Sequence, residues 1–310
     1  MPCALLGAPD VFVERIGTGR ESVVIRAQVE AHFQRRVAAL MCTEVGGSNG
    51  PMSVAFAAHA GLPLLNADGM GRAFPGVEQV AMQVAGIPAS PSVLADEHDR
   101  VVLVRAESGE WLERLARNVA TAFGNRGVSS EYVMTVDQAD GAVVDGSMAK
   151  ALRIGTVLEE AAREGHSTRS AVARLAEEFH GARLAECRVT GVHPIKNKAT
   201  AAITTNTRRT ILLEGVNTDD GRWLRLEAGH EYHAVLEDGE LLAATPDVIT
   251  LFDIHSGEPV PVPELRYGLR VVVLALPSPP AWRRPEGLAL VGPRAFGLSL
   301  DYSPLAADHA

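Results

Sequence analysis

The feature that most narrows the fold is a change of texture near residue 183. Up to that point apolar residues recur at helical spacing in stretches of helix length, separated by shorter apolar runs of strand length. Beyond Ala185 short runs rich in Val, Ile, Leu and Thr are broken by Asn, Asp and Gly every ~8 to 12 residues, the signature of an all-β module. The pattern predicts two domains: an α/β N-terminal domain with a parallel or mixed sheet over residues 1–183, and a mostly-β C-terminal domain over 184–310. A chain of 310 residues can bury two such cores without disulfide or metal staples.

In the first domain the spacing predicts helices over 21–33, 52–60, 77–85, 109–123, 148–164 and 170–180. A hairpin is expected within 93–104, turning at 97–100, with strands at 37–45, 62–67 and 133–136. Strands over 201–205, 210–216, 223–226, 241–244, 248–253 and 269–276 build the β module. Residues 37–67 are the most informative stretch. An apolar run ends in Gly46 and Gly47, Pro51 suits a first helical turn, Gly61 stops the helix, and a second apolar run follows. Strand, loop, helix, strand implies parallel strands with a right-handed crossover, so the loops after both strands open on one edge of a sheet.

Composition removes several function classes. With 38 acidic and 29 basic side chains the formal charge is -9, which repels phosphate backbones, and aromatics are only 5% of residues, too few for a stacking platform. No nucleic-acid partner is expected. Three cysteines, none at C-x-x-C spacing, suit a reducing compartment. Neither a basic start with an apolar h-region nor a span of ~18 apolar residues is present, so a cytoplasmic protein with no membrane partner is expected. An apolar content of 46% and small-molecule chemistry point to a homo-oligomer.

The chemistry concentrates in two glycine-rich loops at strand ends, where α/β crevices form. In Thr43-Glu44-Val45-Gly46-Gly47-Ser48-Asn49-Gly50 the two glycines let backbone approach a ligand, Asn49 or Ser48 can cap the next helix, and Glu44 supplies an acid. A tight turn needing positive φ is the plainer reading. Asp68-Gly69-Met70-Gly71-Arg72-Ala73-Phe74-Pro75 adds a carboxylate and a guanidinium to the same edge. Glu44 and Asp68 can divide base and acid roles if their environments separate their pKa values, and Arg72 can hold a carboxylate in a bidentate pair. An Asp68 to Arg72 salt bridge that only shapes the loop competes with that reading. Cys42, inside an apolar strand, is more readily an inert core thiol than a nucleophile. His230 and His233 flank Glu231 and Tyr232 without forming H-E-x-x-H, and in a strand their rings point to opposite faces. His193 and His255 read as loop histidines, and neither a P-loop nor a G-x-S-x-G elbow occurs.

Four motifs carry a family resemblance: Glu44-Val45-Gly46-Gly47-Ser48-Asn49, Ala67-Asp68-Gly69-Met70-Gly71-Arg72-Ala73-Phe74-Pro75, Leu265-Arg266-Tyr267-Gly268-Leu269-Arg270-Val271 and Val291-Gly292-Pro293-Arg294-Ala295-Phe296-Gly297. Together they resemble the S-methyl thiohydantoin desulfurase family over nearly the whole chain, the second motif being the most specific. The resemblance implies an α/β domain followed by a β domain, and hydrolytic removal of sulfur from a thiohydantoin ring. The chain departs from the family's pattern at several points. It opens at Gly7-Ala8-Pro9 where members commonly carry a further Gly-rich loop, and it has Asn66 and Gly76 where Asp and Glu are common. His230-Glu231-Tyr232 replaces an Asn-Glu pair, so only Glu231 carries over.

The expectation is therefore a hydrolase of a cyclic thioamide or amide, with a small-molecule substrate. Glu44 is the base, Asp68 orients or protonates, and Gly46, Gly47, Asn49, Gly71, Arg72 and Glu231 bind substrate. A divalent metal cofactor is left open. The rival readings are a non-catalytic metabolite-binding subunit of a hydantoinase-type system, and a hydrolase of a plain hydantoin or lactam.

Overall fold

A computed structural model describes residues 1–195 and 208–305 and divides the chain into two compact units, Met1–Ala151 and Leu152–Ala310. The expected strand at 201–205 lies outside the described residues.

The first unit opens with β1 (Pro2–Gly7), a short α1 (Pro9–Glu14) and α2 (Glu21–Phe33), which ends at Gln34 in the left-handed conformation, φ 53°. Next come β2 (Met41–Cys42), α3 (Asn49–Ala60), closed by Gly61 at φ 62°, and β3 (Ala67–Asp68). After α4 (Ala81–Val84), β4 (Ser92–Ala95) and β5 (Val101–Val104) form the expected hairpin. Its turn is organised by Asp96, whose carboxylate accepts from the His98 and Arg100 amides and the Arg100 guanidinium. In α5 (Gly109–Ala122) the Ser108 hydroxyl caps the first turn by accepting from the Trp111 amide. The unit closes with β6 (Arg126–Ser130), α6 (Val136–Ala139) and β7 (Val144–Asp145).

The sheet order is β2-β1-β6-β4-β5, parallel between β1 and β2 and antiparallel elsewhere, so the sheet is mixed. Its core joins Cys3, Val93, Ala95 and Val128 of the sheet to Ile25 and Val29 of α2 and Phe56 of α3. The strand expected at 37–45 shrinks to Met41 and Cys42, preceded by a parallel bridge from Leu40 to Leu64. That bridge is parallel, as expected of the two segments, although the sequence after Leu64 pairs differently, β3 lying antiparallel to β7. The strand expected at 133–136 is instead the approach to α6, and β6 takes the place in the sheet. Buried Arg126 on β6 meets Glu21 at 2.8 Å and Glu97 at 3.1 Å, which satisfies an otherwise costly internal charge.

The second unit begins within α7 (Ser147–Arg163), followed by α8 (Thr168–Glu178). These helices bury Val157, Val172 and Leu175 against Phe252, Val272, Leu274 and Leu276 of the sheet. Packing thus gathers them with the β module, whereas the change in sequence texture comes later, at the start of β8 (Ala182–Pro194). The remaining strands are β9 (Arg209–Gly215), β10 (Trp223–Ala228), β11 (Tyr232–Glu237), β12 (Glu240–Ala244), β13 (Val248–Asp253) and β14 (Arg270–Leu276), followed in the chain by α9 (Pro285–Val291). They form one antiparallel sheet, ordered β12-β11-β10-β9-β8-β14-β13. It curls until β12 and β13 approach one another, a half-barrel that encloses Ile211, Leu213, Leu226, Val235, Leu251 and Val271.

Candidate active site

The two glycine-rich loops meet in the first unit. Asp68, fully buried at the end of β3, accepts a hydrogen bond from the Val45 amide of the first loop at 2.9 Å. It also accepts from the Gly71 amide of its own loop at 2.9 Å. The Gly69 amide donates to the Thr43 carbonyl at 2.9 Å, and a β-carbon built on Gly46 would touch that of Ala73 at 3.4 Å. Both loops therefore share one surface, held by backbone groups bonded to one carboxylate. Burial pushes the Asp68 carboxyl above the usual range, against the pull of the Val45 and Gly71 amides. The Ser147 hydroxyl lies close enough to oppose the shift, yet its buried oxygen completes no well-aligned hydrogen bond.

Glu44 is half-buried and Asn49 is its tether. The Asn49 side chain donates to Glu44 Oε1 at 2.6 Å and accepts from the Leu5 amide of β1 at 2.7 Å. Asn49 and Ser48 were expected to cap α3, but no side chain caps that helix, because Asn49 is spent fixing Glu44 to the sheet. Gly47 adopts φ 49°, where a side chain would be strained although nothing stands within 4 Å of it. The Gly46 amide donates to the Glu44 carbonyl at 3.1 Å in a tight turn, while the Gly47 amide makes no hydrogen bond among the described residues. Gly71 is also left-handed, at φ 71°, which turns its amide back onto Asp68.

Arg72 is buried and its guanidinium lies over the Phe74 ring at 4.9 Å. Asp68 takes its hydrogen bonds from backbone amides, so the competing Asp68 to Arg72 ion pair is not what shapes this loop. Cys42 is buried, its thiol donates to the Glu44 carbonyl at 2.8 Å, and burial pushes it up to about 12, the state of an inert core cysteine. Asn66, standing where acid is common, holds the start of α7 by accepting from the Ala149 amide at 2.9 Å, a task asparagine performs as well as aspartate.

Glu231 belongs to the second unit, in the turn between β10 and β11, where its carbonyl accepts from the Gly229 amide at 2.9 Å. His233 is buried on β11 and stacks on Phe296 with ring centroids 4.1 Å apart, while His230 is exposed at the turn. Among the described residues no group of three His, Cys, Asp or Glu side chains is placed to hold a metal ion.

Sequence reasoning missed several buried polar groups of the first unit. Thr43 Oγ1, Ser130 Oγ, Ser147 Oγ and one oxygen each of Glu78 and Glu131 are buried without a hydrogen-bond partner. Glu131 is the most perturbed. Burial, reinforced by the charge of Glu113, pushes it up to about 7 although the Ser129 hydroxyl donates to it. A carboxylate directly after the short run Gly127-Val128-Ser129-Ser130 was the available signal, obscured because that run reads as a turn.

Comparison with known proteins places this geometry in a family. No curated protein matches the chain. A crystal structure of a protein from Chromobacterium violaceum shares the fold, with a TM-score of 0.76 at 23% identity, covering 98% of this chain and 84% of that one. The S-Me-THD-like N-terminal domain matches residues 1–106 and the S-Me-THD-like C-terminal domain matches residues 107–305. Since these two matches run consecutively from one end of the chain to residue 305, the chain belongs to the S-Me-THD-like family, the S-methyl thiohydantoin desulfurase family whose motifs its sequence carries.

Proposed function

We propose that the chain is a hydrolase that removes sulfur, as thiol or sulfide, from a thiohydantoin-type five-membered ring. Family membership supports the substrate class. The observation that carries the chemistry is the Asp68 clasp, which binds the Val45 amide of one glycine-rich loop and the Gly71 amide of the other. Glu44 takes a proton from water as its oxygen bonds to the ring carbon between the two nitrogens. The Gly47 amide, unspent within the loop, faces developing negative charge, a duty that Gly46 cannot share while its amide donates to Glu44. Collapse of the tetrahedral centre breaks the carbon–sulfur bond, and the proton held by Glu44 leaves with the thiol. Asp68 is a positioning residue in this scheme, since it is fully buried and saturated by backbone amides. Arg72 binds a carboxylate on the ring substituent.

The hydrogen bond from Asn49 to Glu44 favours a second reading, in which a tied Glu44 shapes a loop that holds a metabolite without turning it over. Thiol release from an S-methyl thiohydantoin separates the two. The wild type should release one thiol per ring, and Glu44→Gln, which keeps an acceptor for Asn49, should lose ~10² to 10⁴ in kcat with nearly unchanged Kd. Full turnover by the variant removes Glu44 from the base role. Binding without thiol release by the wild type establishes the second reading.

A further inference from the structure

We propose that the first unit has a second ligand site, at the end of its larger sheet where β1 and β2 begin, that takes an apolar monocarboxylate. A groove of about 770 Å³ opens there, lined by Met1 and Pro2 at the start of β1 and Leu40 and Met41 at the start of β2. Because β1 and β2 are parallel, these starts share one end of the sheet, and the first glycine-rich loop leaves from the opposite end of β2. The volume lies within the range that small-ligand sites occupy.

The lining states what would fit. Leu40 and Met41 form a buried apolar floor, yet Phe33, Leu65 and Val136 around the same groove remain 37%, 40% and 73% exposed. Large apolar side chains left in water around one concavity mark a surface that something apolar covers. Charge then sets the polar end. Arg35 and Arg36, just beyond the left-handed end of α2, line the rim, and neither makes an ion pair among the described residues. Glu30, the acid that Arg36 feels, is already held by the Arg26 guanidinium and the Val37 amide. Asp140 and Asp145 line the groove from a different segment. One part of the rim is therefore basic and another acidic. A carboxylate seats on the arginines with its chain over Leu40 and Met41, and a second negative charge would meet the aspartates.

The test is calorimetric titration of the full chain with decanoate, kept below its micelle concentration, and with decanol as the uncharged control. Decanoate should bind once per chain. The double variant Arg35→Ala, Arg36→Ala should weaken it roughly tenfold or more while leaving decanol unchanged. Asp140→Asn with Asp145→Asn should tighten decanoate, and Val136→Trp, which fills the groove, should block both ligands. All four positions other than Val136 are exposed charges, so melting curves matching the wild type are expected for those variants. Failure of decanoate to bind the wild type, or equal binding by the arginine double variant, overturns the proposal.

Discussion

Glu131 offers a test of the structure that needs no substrate. Its side chain is 5% exposed, one oxygen accepts from the Ser129 hydroxyl at 3.3 Å, and the other is buried with no partner. Burial, with Glu113 adding like charge, moves its pKa from 4.5 to about 7. Since the folded value exceeds the unfolded one, the neutral acid stabilises the fold fully below about 4.5, and this is lost as pH rises through about 7. A displacement of that size is worth about 3 kcal/mol, because each tenfold in proton affinity is ~1.4 kcal/mol. Glu131→Gln imitates the neutral acid at every pH. Its amide adds one buried donor that costs about 1 kcal/mol, so the variant should gain about 2 kcal/mol over the wild type at pH 8. Below pH 4.5 the ordering should reverse by about 1 kcal/mol. Urea unfolding followed from pH 3.5 to 8.5 reads both ends. If the wild type and Glu131→Gln show parallel pH profiles, Glu131 is not a buried carboxyl of raised pKa and the packing at the end of β6 is wrong.

Two further substitutions probe the loops. Arg72→Lys loses the planar fork, so KM for carboxylate-bearing substrates should rise while kcat on an uncharged ring analogue stays nearly constant, as steady-state kinetics on the two substrates will show. Asp68→Asn replaces one acceptor oxygen with an amide donor that faces the Val45 and Gly71 N–H donors, and chemical denaturation should show a loss of about 2 to 4 kcal/mol together with lowered kcat.

The legible part of this molecule was whatever announces itself locally. The hairpin of β4 and β5, the helices α2, α3, α5, α7 and α8, and the strands β9, β10, β12, β13 and β14 lie close to where spacing and turn residues put them. Two of the strands that were missed, β6 and β8, carry polar groups in satisfied pairs. In β6 Arg126 is neutralised by Glu21 and Glu97, and in β8 Arg183 bonds Asp219 while Arg188 bonds Glu214. A single sequence shows the charge and not its partner. The apolar run before Glu44 misled in the other direction, since only Met41 and Cys42 find a neighbouring strand to pair with. In the candidate site the residue types were readable while their division of labour was not. That Asn49 ties its loop to Leu5, and that Asp68 reaches Val45 of the other loop, depends on contacts between separate segments of the chain.

The strand order of the second unit bears on how a ribosome delivers it. β8 is flanked by β9 on one side and by β14 on the other, so Cys187 of the first strand made is registered against Val271 of the last. While the stretch between them is being translated, one edge of the longest strand stays open, and β13 waits for the same neighbour. An unpaired, largely apolar edge of that kind invites pairing with another nascent chain. Premature termination before Arg270 should therefore yield insoluble product, not a shorter soluble domain. Slow translation across this region should likewise increase the demand for chaperones.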